Sequence, residues 1–308
     1  MIVVVGSLNM DLVVSAERMP QTGETLKGSK FAMVPGGKGA NQAVGCAKLG
    51  ADVTMFGAVG DDAFGKHIVD VLKENEVNVE NIQIKTHIST GIASIFHTGS
   101  DNCIVIVPGA NGELTCADLS AYEKALTTSK VMLAQLEIPL DVVVYALKEA
   151  KRHGVITILN PAPAAELPPE IYEYTDFITP NETELSILLK KRVENREDLE
   201  RELIRWERAH PSKMIVTRGK DGCFYLDRQQ LVNIRPPKIP VKDTTGAGDS
   251  FNSALAYALS QGWHFEKAVL FSVYASAIST MKFGAMNGMP SLEQVLDSGL
   301  RERWFLKP

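Results

Sequence analysis

Met1-Ile-Val-Val-Val-Gly6 opens the chain with an unbroken apolar, mostly β-branched run that ends on a glycine. A run so short and so continuous predicts a strand buried on both faces, because a strand with one wet face would alternate apolar and polar residues. Working outward, similar runs recur at 53–59, 131–137, 155–159, 177–179 and 213–217. Segments of helical period separate them. Phe64, Ile68, Val71 and Leu72 share one face of 62–75, and Phe251, Leu255, Ala258 and Leu259 share one face of 248–261. Strands alternating with amphipathic helices predict an α/β fold, a three-layer α/β/α sandwich with a mostly parallel central sheet. Ligands of such folds sit beyond the carboxyl ends of the strands, so function is expected in the loops that follow them.

Two segments break the alternation. Residues 11–34 and 91–107 carry β-rich runs with turn residues between them and do not join a parallel sheet easily. They read either as a small inserted β-sheet lid able to exclude water from a reaction, or as an edge hairpin without function. On the first reading the main domain comprises 1–10, 35–90 and 108–308, with the lid inserted twice. No internal repeat or low-complexity linker marks another independent domain.

The bulk properties exclude several function classes. The chain has 308 residues, 45% of them hydrophobic and 22% charged, and a net charge of -5. Without a basic excess there are few counterions to release, so nucleic acid is not an expected partner. No stretch approaches the roughly 20 apolar residues that cross a bilayer. Met1–Gly6 has no basic flank and too short an apolar core for a signal peptide, so a cytoplasmic location is expected. The cysteines, 46, 103, 116 and 223, are scattered in mostly apolar company, which predicts reduced, buried thiols. No two histidines lie within four residues of each other, so the helical paired-histidine metal motif is missing.

The strongest chemical signal is Asp243-Thr-Thr-Gly-Ala-Gly-Asp249-Ser-Phe-Asn252, a glycine-containing turn running straight into a helix. The amides of Gly246, Ala247 and Gly248 at such a helix start form a site for phosphate or developing negative charge. Asp249 either complements the helix dipole or sits beside the anion to accept a proton from an attacking hydroxyl. Neither a G-x-x-x-x-G-K-[ST] loop nor a G-x-G-x-x-G fingerprint occurs, so any nucleotide is held by another design. A second glycine cluster, Pro35-Gly-Gly-Lys-Gly-Ala-Asn41-Gln-Ala43, also opens a helix and offers Lys38 and Asn41 to a ligand.

With these motifs stand Gly6-Ser-Leu-Asn-Met-Asp11, Gln135-Leu-Glu137, Asn160-Pro-Ala-Pro163 and Thr179-Pro-Asn-Glu-Thr-Glu184. Their order and spacing resemble the ribokinase family of carbohydrate kinases from Val3 to about Pro290. The N-x-D near the start and the full G-G-K-G-A-N-Q-A run resemble the ribose-phosphorylating branch more than the fructokinase, hexose-phosphate kinase or nucleoside kinase branches.

The resemblance implies ATP-dependent phosphorylation of the primary hydroxyl of a sugar such as D-ribose, with Asp249 as the base. It implies that Asn9, Asp11, Gly37, Lys38, Asn41 and Glu137 hold the sugar. Asn181 and Glu184 match the family's N-x-x-E motif for Mg2+ and the nucleotide phosphates, and Thr217, Gly219 and Gly222 match its nucleotide loop. Asp243, Thr245, Ser279, Lys282 and Gly284 match a monovalent cation site, by resemblance for K+. Two positions depart from the pattern: Gly284-Ala-Met-Asn-Gly288 ends on a glycine where the family carries serine, and Val273 stands where relatives often carry a polar residue near the adenine. Deoxyribose, fructose or a nucleoside as substrate, and a non-catalytic sugar- or nucleotide-binding regulator, are the alternatives. Exposed apolar strands in the lid, Ile104-Val-Ile-Val107, would provide a homodimer contact.

Overall fold

The computed structural model describes residues 1–98 and 102–301, apart from the side chain of Asn102. Residues 99–101 of the expected 91–107 segment, and the last residues of the expected main domain, lie outside the described residues.

The opening run forms β1 (Ile2–Val5), followed by β2 (Asn9–Ser15), β3 (Lys30–Gly36), β4 (Val53–Gly60) and β5 (Ile82–Lys85). Next come β6 (Gly91–His97), β7 (Asn102–Val107), β8 (Val131–Ala134), β9 (Ile156–Leu159) and β10 (Phe177–Ile178). The last strands are β11 (Lys213–Met214), β12 (Val216–Thr217), β13 (Cys223–Asp227) and β14 (Gln230–Ile234). Seven of them make one sheet in the order β11-β10-β9-β8-β1-β4-β5, with every pairing parallel.

β1 lies inside that sheet, and its side chains feed two cores. Ile2 and Val4 join one apolar cluster with helices 38–48, 247–260 and 265–279, whereas Val3 and Val5 join a second with helices 140–152 and 196–209. All four are at most 1% exposed, so the unbroken apolar run is what a doubly covered strand needs. The architecture is the expected three-layer α/β/α sandwich with a parallel central sheet. The expected strand over 213–217 divides at Ile215: Lys213–Met214 stays in the main sheet, while Val216–Thr217 pairs antiparallel with β13.

The segments that break the alternation form their own four-stranded sheet, ordered β3-β2-β6-β7, and each of β2 and β3 extends two residues beyond the expected 11–34. Asn9 and Asp11 alternate with Met10 and so share one face of β2. In register with Asp11 on that face is Ala93, and opposite Ala93 is Ile106. Phe31, Met33, Phe96, Val105 and Val107 belong to the other face by the same registers and are all exposed.

Cysteine burial departs in part from expectation. All four thiols are free, and Cys46 and Cys223 are buried, but Cys103 is exposed on β7 and Cys116 is half-buried. β7 is an edge strand, and edges leave even apolar side chains accessible. No helix among the described residues is long and apolar enough to cross a membrane.

Candidate active site

β1 is flanked by β4 on one side and β8 on the other, so crossovers leave it in both directions and a crevice opens at its carboxyl end. Gly6–Asp11 leaves β1 there, and Gln135–Glu137 leaves β8. Ser7 Oγ donates to Glu137 Oε2 at 2.5 Å, and the Lys38 amide donates to the same oxygen at 3.1 Å. Asn9 Oδ1 accepts from Asn111 Nδ2 at 2.8 Å, and Asn111 also bridges the Leu8 amide and carbonyl, which fixes the turn that presents Asn9 and Asp11.

The second wall of the crevice is the start of helix Ala247–Ser260. Its cap, Gly246, has φ 78°, a left-handed conformation that favours glycine, and no side chain caps the helix. The Ala247 amide turns back to the Thr244 carbonyl at 3.2 Å, which leaves the amides of Gly248 and Asp249 in the first turn for a ligand. Gly248 faces open space, so an anion can approach the backbone closely. Ser276 Oγ donates to the Ala247 carbonyl, and Asn252 joins Thr179 to the Gly248 carbonyl, bracing this turn from two other elements.

Asp249 projects from this helix into the interior and is 6% exposed. Asn41 Nδ2 donates to its Oδ2 at 3.0 Å and Gln42 Nε2 to its Oδ1 at 2.9 Å. Asn41 Oδ1 is buried with no partner in the protein, a vacant acceptor beside the carboxylate that suits a ligand hydroxyl.

Charges from distant parts of the chain converge here. Burial alone would lower the Lys38 ammonium, but Asp249, Glu137, Glu184 and Asp11 together raise it. Burial raises Asp249, with Lys38, Gln42 and Asn41 opposing the rise. Asp11 is pushed up to about 7 by burial and then by Glu137 and Asp249, with Lys38 opposing. Glu184 is raised by burial, against the Asn181 amide and Lys38.

A cavity of about 820 Å³ joins these parts. Its walls include Lys38, Asn181, Glu184, Thr217, Gly219, Gly222 and Gly246 to Asp249, the expected phosphate and nucleotide positions. Asn9, Asp11, Gly37, Asn41 and Glu137 cluster behind Lys38 and Asp249 rather than lining this cavity. Pro236, Pro237, Lys238, Ile239 and Val241 line it and were not expected, because they occupy a coil without periodicity or motif. The Pro236-Pro237 pair is the only local signal of a stiff wall there.

Asn181 and Glu184 form a capping box at the start of helix Glu182–Leu188: Asn181 Oδ1 accepts the Glu184 amide, and Glu184 Oε2 accepts the Asn181 amide, at 2.9 and 2.8 Å. Capping leaves the carboxylate further lone pairs toward the cavity, which fits a hydrated Mg2+. Among the described residues no cluster of three or more His, Cys, Asp or Glu is arranged to hold a metal ion, so any such ion depends on waters, carbonyls and the nucleotide.

The five monovalent-cation candidates lie off the cavity and behind the anion loop. Asp243 accepts the Gly284 amide at 2.8 Å and both the amide and hydroxyl of Thr245, joining two of the segments. Burial would raise Asp243, but these hydrogen bonds outweigh it and hold the carboxyl below its usual range, with His97 of β6 adding to the effect. A Cβ on Gly288 would stand 2.6 Å from the Ser279 carbonyl oxygen, so the glycine that removes a hydroxyl also lets this carbonyl pack closely.

A buried carboxylate in the first turn of a helix that no side chain caps, with a polar crevice on one side and a large cavity on the other, is an arrangement that suits phosphoryl transfer to a hydroxyl. The family model for pfkB family carbohydrate kinases matches residues 1–292, and the chain belongs to that family. It is 42% identical over 297 residues to the ribokinase of Bacillus subtilis, covering 96% of this chain and 97% of that protein. It is 35% identical over 295 residues to a deoxyribokinase of Salmonella typhi, covering 95% and 96%. Among solved structures, Arabidopsis thaliana ribokinase complexed with ribose and ATP superposes with a TM-score of 0.89 at 30% identity, covering 96% of this chain and 97% of that one. The expected family and fold are therefore established, and the protein is a ribokinase-type carbohydrate kinase.

Proposed function

We propose that the protein transfers the γ-phosphoryl group of ATP to the 5-hydroxyl of D-ribose, giving ribose 5-phosphate and ADP. The observation that carries this reading is the Asp249 carboxylate, buried and held by Asn41 and Gln42 at a helix start that no side chain caps. A carboxylate there repels a phosphate, which makes sense where it must take a proton from the attacking hydroxyl. As the sugar oxygen bonds to the γ-phosphorus, the bond from phosphorus to the bridging oxygen breaks, Asp249 holds the proton, and ADP leaves.

Asn9, Asp11, Gly37, Lys38, Asn41 and Glu137 hold the sugar, their amide and carboxylate groups matching a polyol's hydroxyls. The nucleotide lies along Thr217, Gly219 and Gly222 toward 243–249, and the amides of Gly246, Gly248 and Asp249 stabilise charge on the moving group. Asn181 and Glu184 would hold Mg2+ through its waters, where it neutralises phosphate charge. Asp243, Thr245, Ser279, Lys282 and Gly284 would hold K+ behind the anion loop, largely through carbonyls. The β3-β2-β6-β7 sheet acts as a lid that excludes water, and its exposed apolar face joins two copies as a homodimer in the cytosol.

Deoxyribose is the second reading, favoured by the 35% identical deoxyribokinase. A coupled ADP-release assay with Mg·ATP against ribose, deoxyribose, fructose and adenosine, run with Asp249→Asn alongside, tests both. Turnover on ribose that falls by about two to four orders of magnitude in the variant supports the proposal. Preference for deoxyribose moves the substrate, and unchanged turnover in the variant removes Asp249 as the base.

A further inference from the structure

Gln42 has no part in the chemistry described so far beyond touching Asp249. It is 0% exposed, as is Gln135, although both are neutral polar side chains far from solvent. Gln42 Nε2 donates to Asp249 Oδ1 at 2.9 Å and to Asn160 Oδ1 at 3.1 Å, and Gln42 Oε1 accepts from Gln135 Nε2 at 2.6 Å. A primary amide can be turned either way, and its neighbours decide which way it points. Reversing Gln42 would set its oxygen against the Asp249 carboxylate and the Asn160 oxygen, two acceptor-to-acceptor contacts, and would bring two NH2 groups together at Gln135. Asp249, which can only accept, therefore fixes which way Gln42 points, and Gln135 meets it with its NH2 group while its own Oε1 stays buried without a partner.

We propose that Gln42, braced by Gln135, is a positioning residue that fixes Asp249 Oδ1 and keeps that carboxylate ionised for proton transfer. This rests on the reading of Asp249 as the base. Asn41 and Gln42 are consecutive on one helix and take one carboxylate oxygen each, which fixes the plane of the carboxylate as well as its place. A hydrogen bond donated to the charged form favours that form, and here it opposes the effect of burial. The other charged groups facing Asp249 are Lys38 on the helix of Gln42, Glu137 after β8, Asp11 on β2 and Glu184 on helix 182–188. None of them is altered by substituting Gln42 or Gln135, so a change in the titration of catalysis reports the amide.

The test measures kcat and both KM values across pH for the full-length wild type, Gln42→Met, Gln42→Leu and Gln135→Met, with Asp249→Asn as reference. Gln42→Met keeps the length of the side chain and removes the donor without adding a charge, Gln42→Leu repeats the loss with a different apolar shape, and Gln135→Met removes the group on the far side of the Gln42 amide. The expected result is an acid limb of kcat moved upward by about one pH unit and a neutral-pH kcat lowered about tenfold, as loss of one charge-assisted hydrogen bond implies. Both KM values are expected to stay within about twofold. Gln135→Met shifts the limb the same way by less, and it decides the question if the Gln42 variants do not fold. A lower kcat with the acid limb unmoved, or a rise in KM in its place, overturns the proposal. If Asp249→Asn retains turnover, the assignment of the base fails instead.

Discussion

Gly36 and Asp11 approach each other so closely that a Cβ on Gly36 would stand 2.5 Å from Asp11 Oδ2 and 2.7 Å from its Cγ. Real side chains do not tolerate such a contact, and the Asp11 carboxyl is short, so it must turn away. Gly36→Ala is therefore expected to raise the KM for ribose about tenfold, equivalent to about 1.4 kcal/mol, with kcat within about twofold. Steady-state kinetics checks this, and an unchanged KM would show that Asp11 does not hold the sugar.

The Asp11 carboxyl, at about 7 against an ordinary 3.8, binds a proton more tightly in the folded chain than in the unfolded one. Its stabilising contribution is complete below about the ordinary value and is lost as pH rises through about 7. Asp11→Asn removes that dependence, so its Tm gain over wild type should grow from acid pH up to about 7 and then level off. Calorimetry over this range checks the sign. The ionised carboxylate is the better acceptor for sugar hydroxyls, so wild-type ribose KM should fall as pH rises through about 7, and Asp11→Asn should flatten the profile.

Asp243 ties Gly284 and Thr245 together beside Gly246. With its carboxyl held below the usual range, its contribution to stability is present at neutral pH and is lost on acidification through that lowered value. Asp243→Asn replaces one acceptor oxygen by a donor and should loosen the anion loop, lowering kcat about tenfold or more. Activity in potassium compared with choline salts should show stimulation in the wild type and little in the variant. Equal wild-type rates in both salts would remove the monovalent cation from the account.

Phe31, Met33, Phe96, Val105 and Val107 leave one face of the four-stranded sheet apolar and exposed. Met33→Glu with Val105→Glu places charge in the middle of that face without touching the side that carries Asp11. Sedimentation equilibrium should find a wild-type dimer and a predominantly monomeric variant. A wild type that sediments as a monomer would remove this face as the contact.

Much of this protein was legible along the chain because the relevant physics is local. Ile2–Val5 reads as a buried strand since both its faces meet apolar layers, and 243–249 reads as an anion site since a glycine turn and the helix it starts are adjacent in sequence. β5 was missed because Ile82-Gln-Ile-Lys85 pairs an apolar face with a polar one and is short. The division at Ile215 was missed because nothing in Lys213–Thr217 records which of two sheets each end will join.

The three-dimensional arrangement decided what no local pattern carries. It brought Asp11, Lys38, Glu137, Glu184 and Asp249 into one electrostatic neighbourhood, made Pro236–Val241 a cavity wall, and closed the amide network through Gln42 and Gln135. The physical reason is that hydrogen bonding and burial of charge depend on separations in space, and here those separations are set by strand order in a sheet whose neighbours are far apart in the chain. The residue types and their motifs were determined by sequence alone; which carboxylate is buried, and which amide holds it, was decided by the packing.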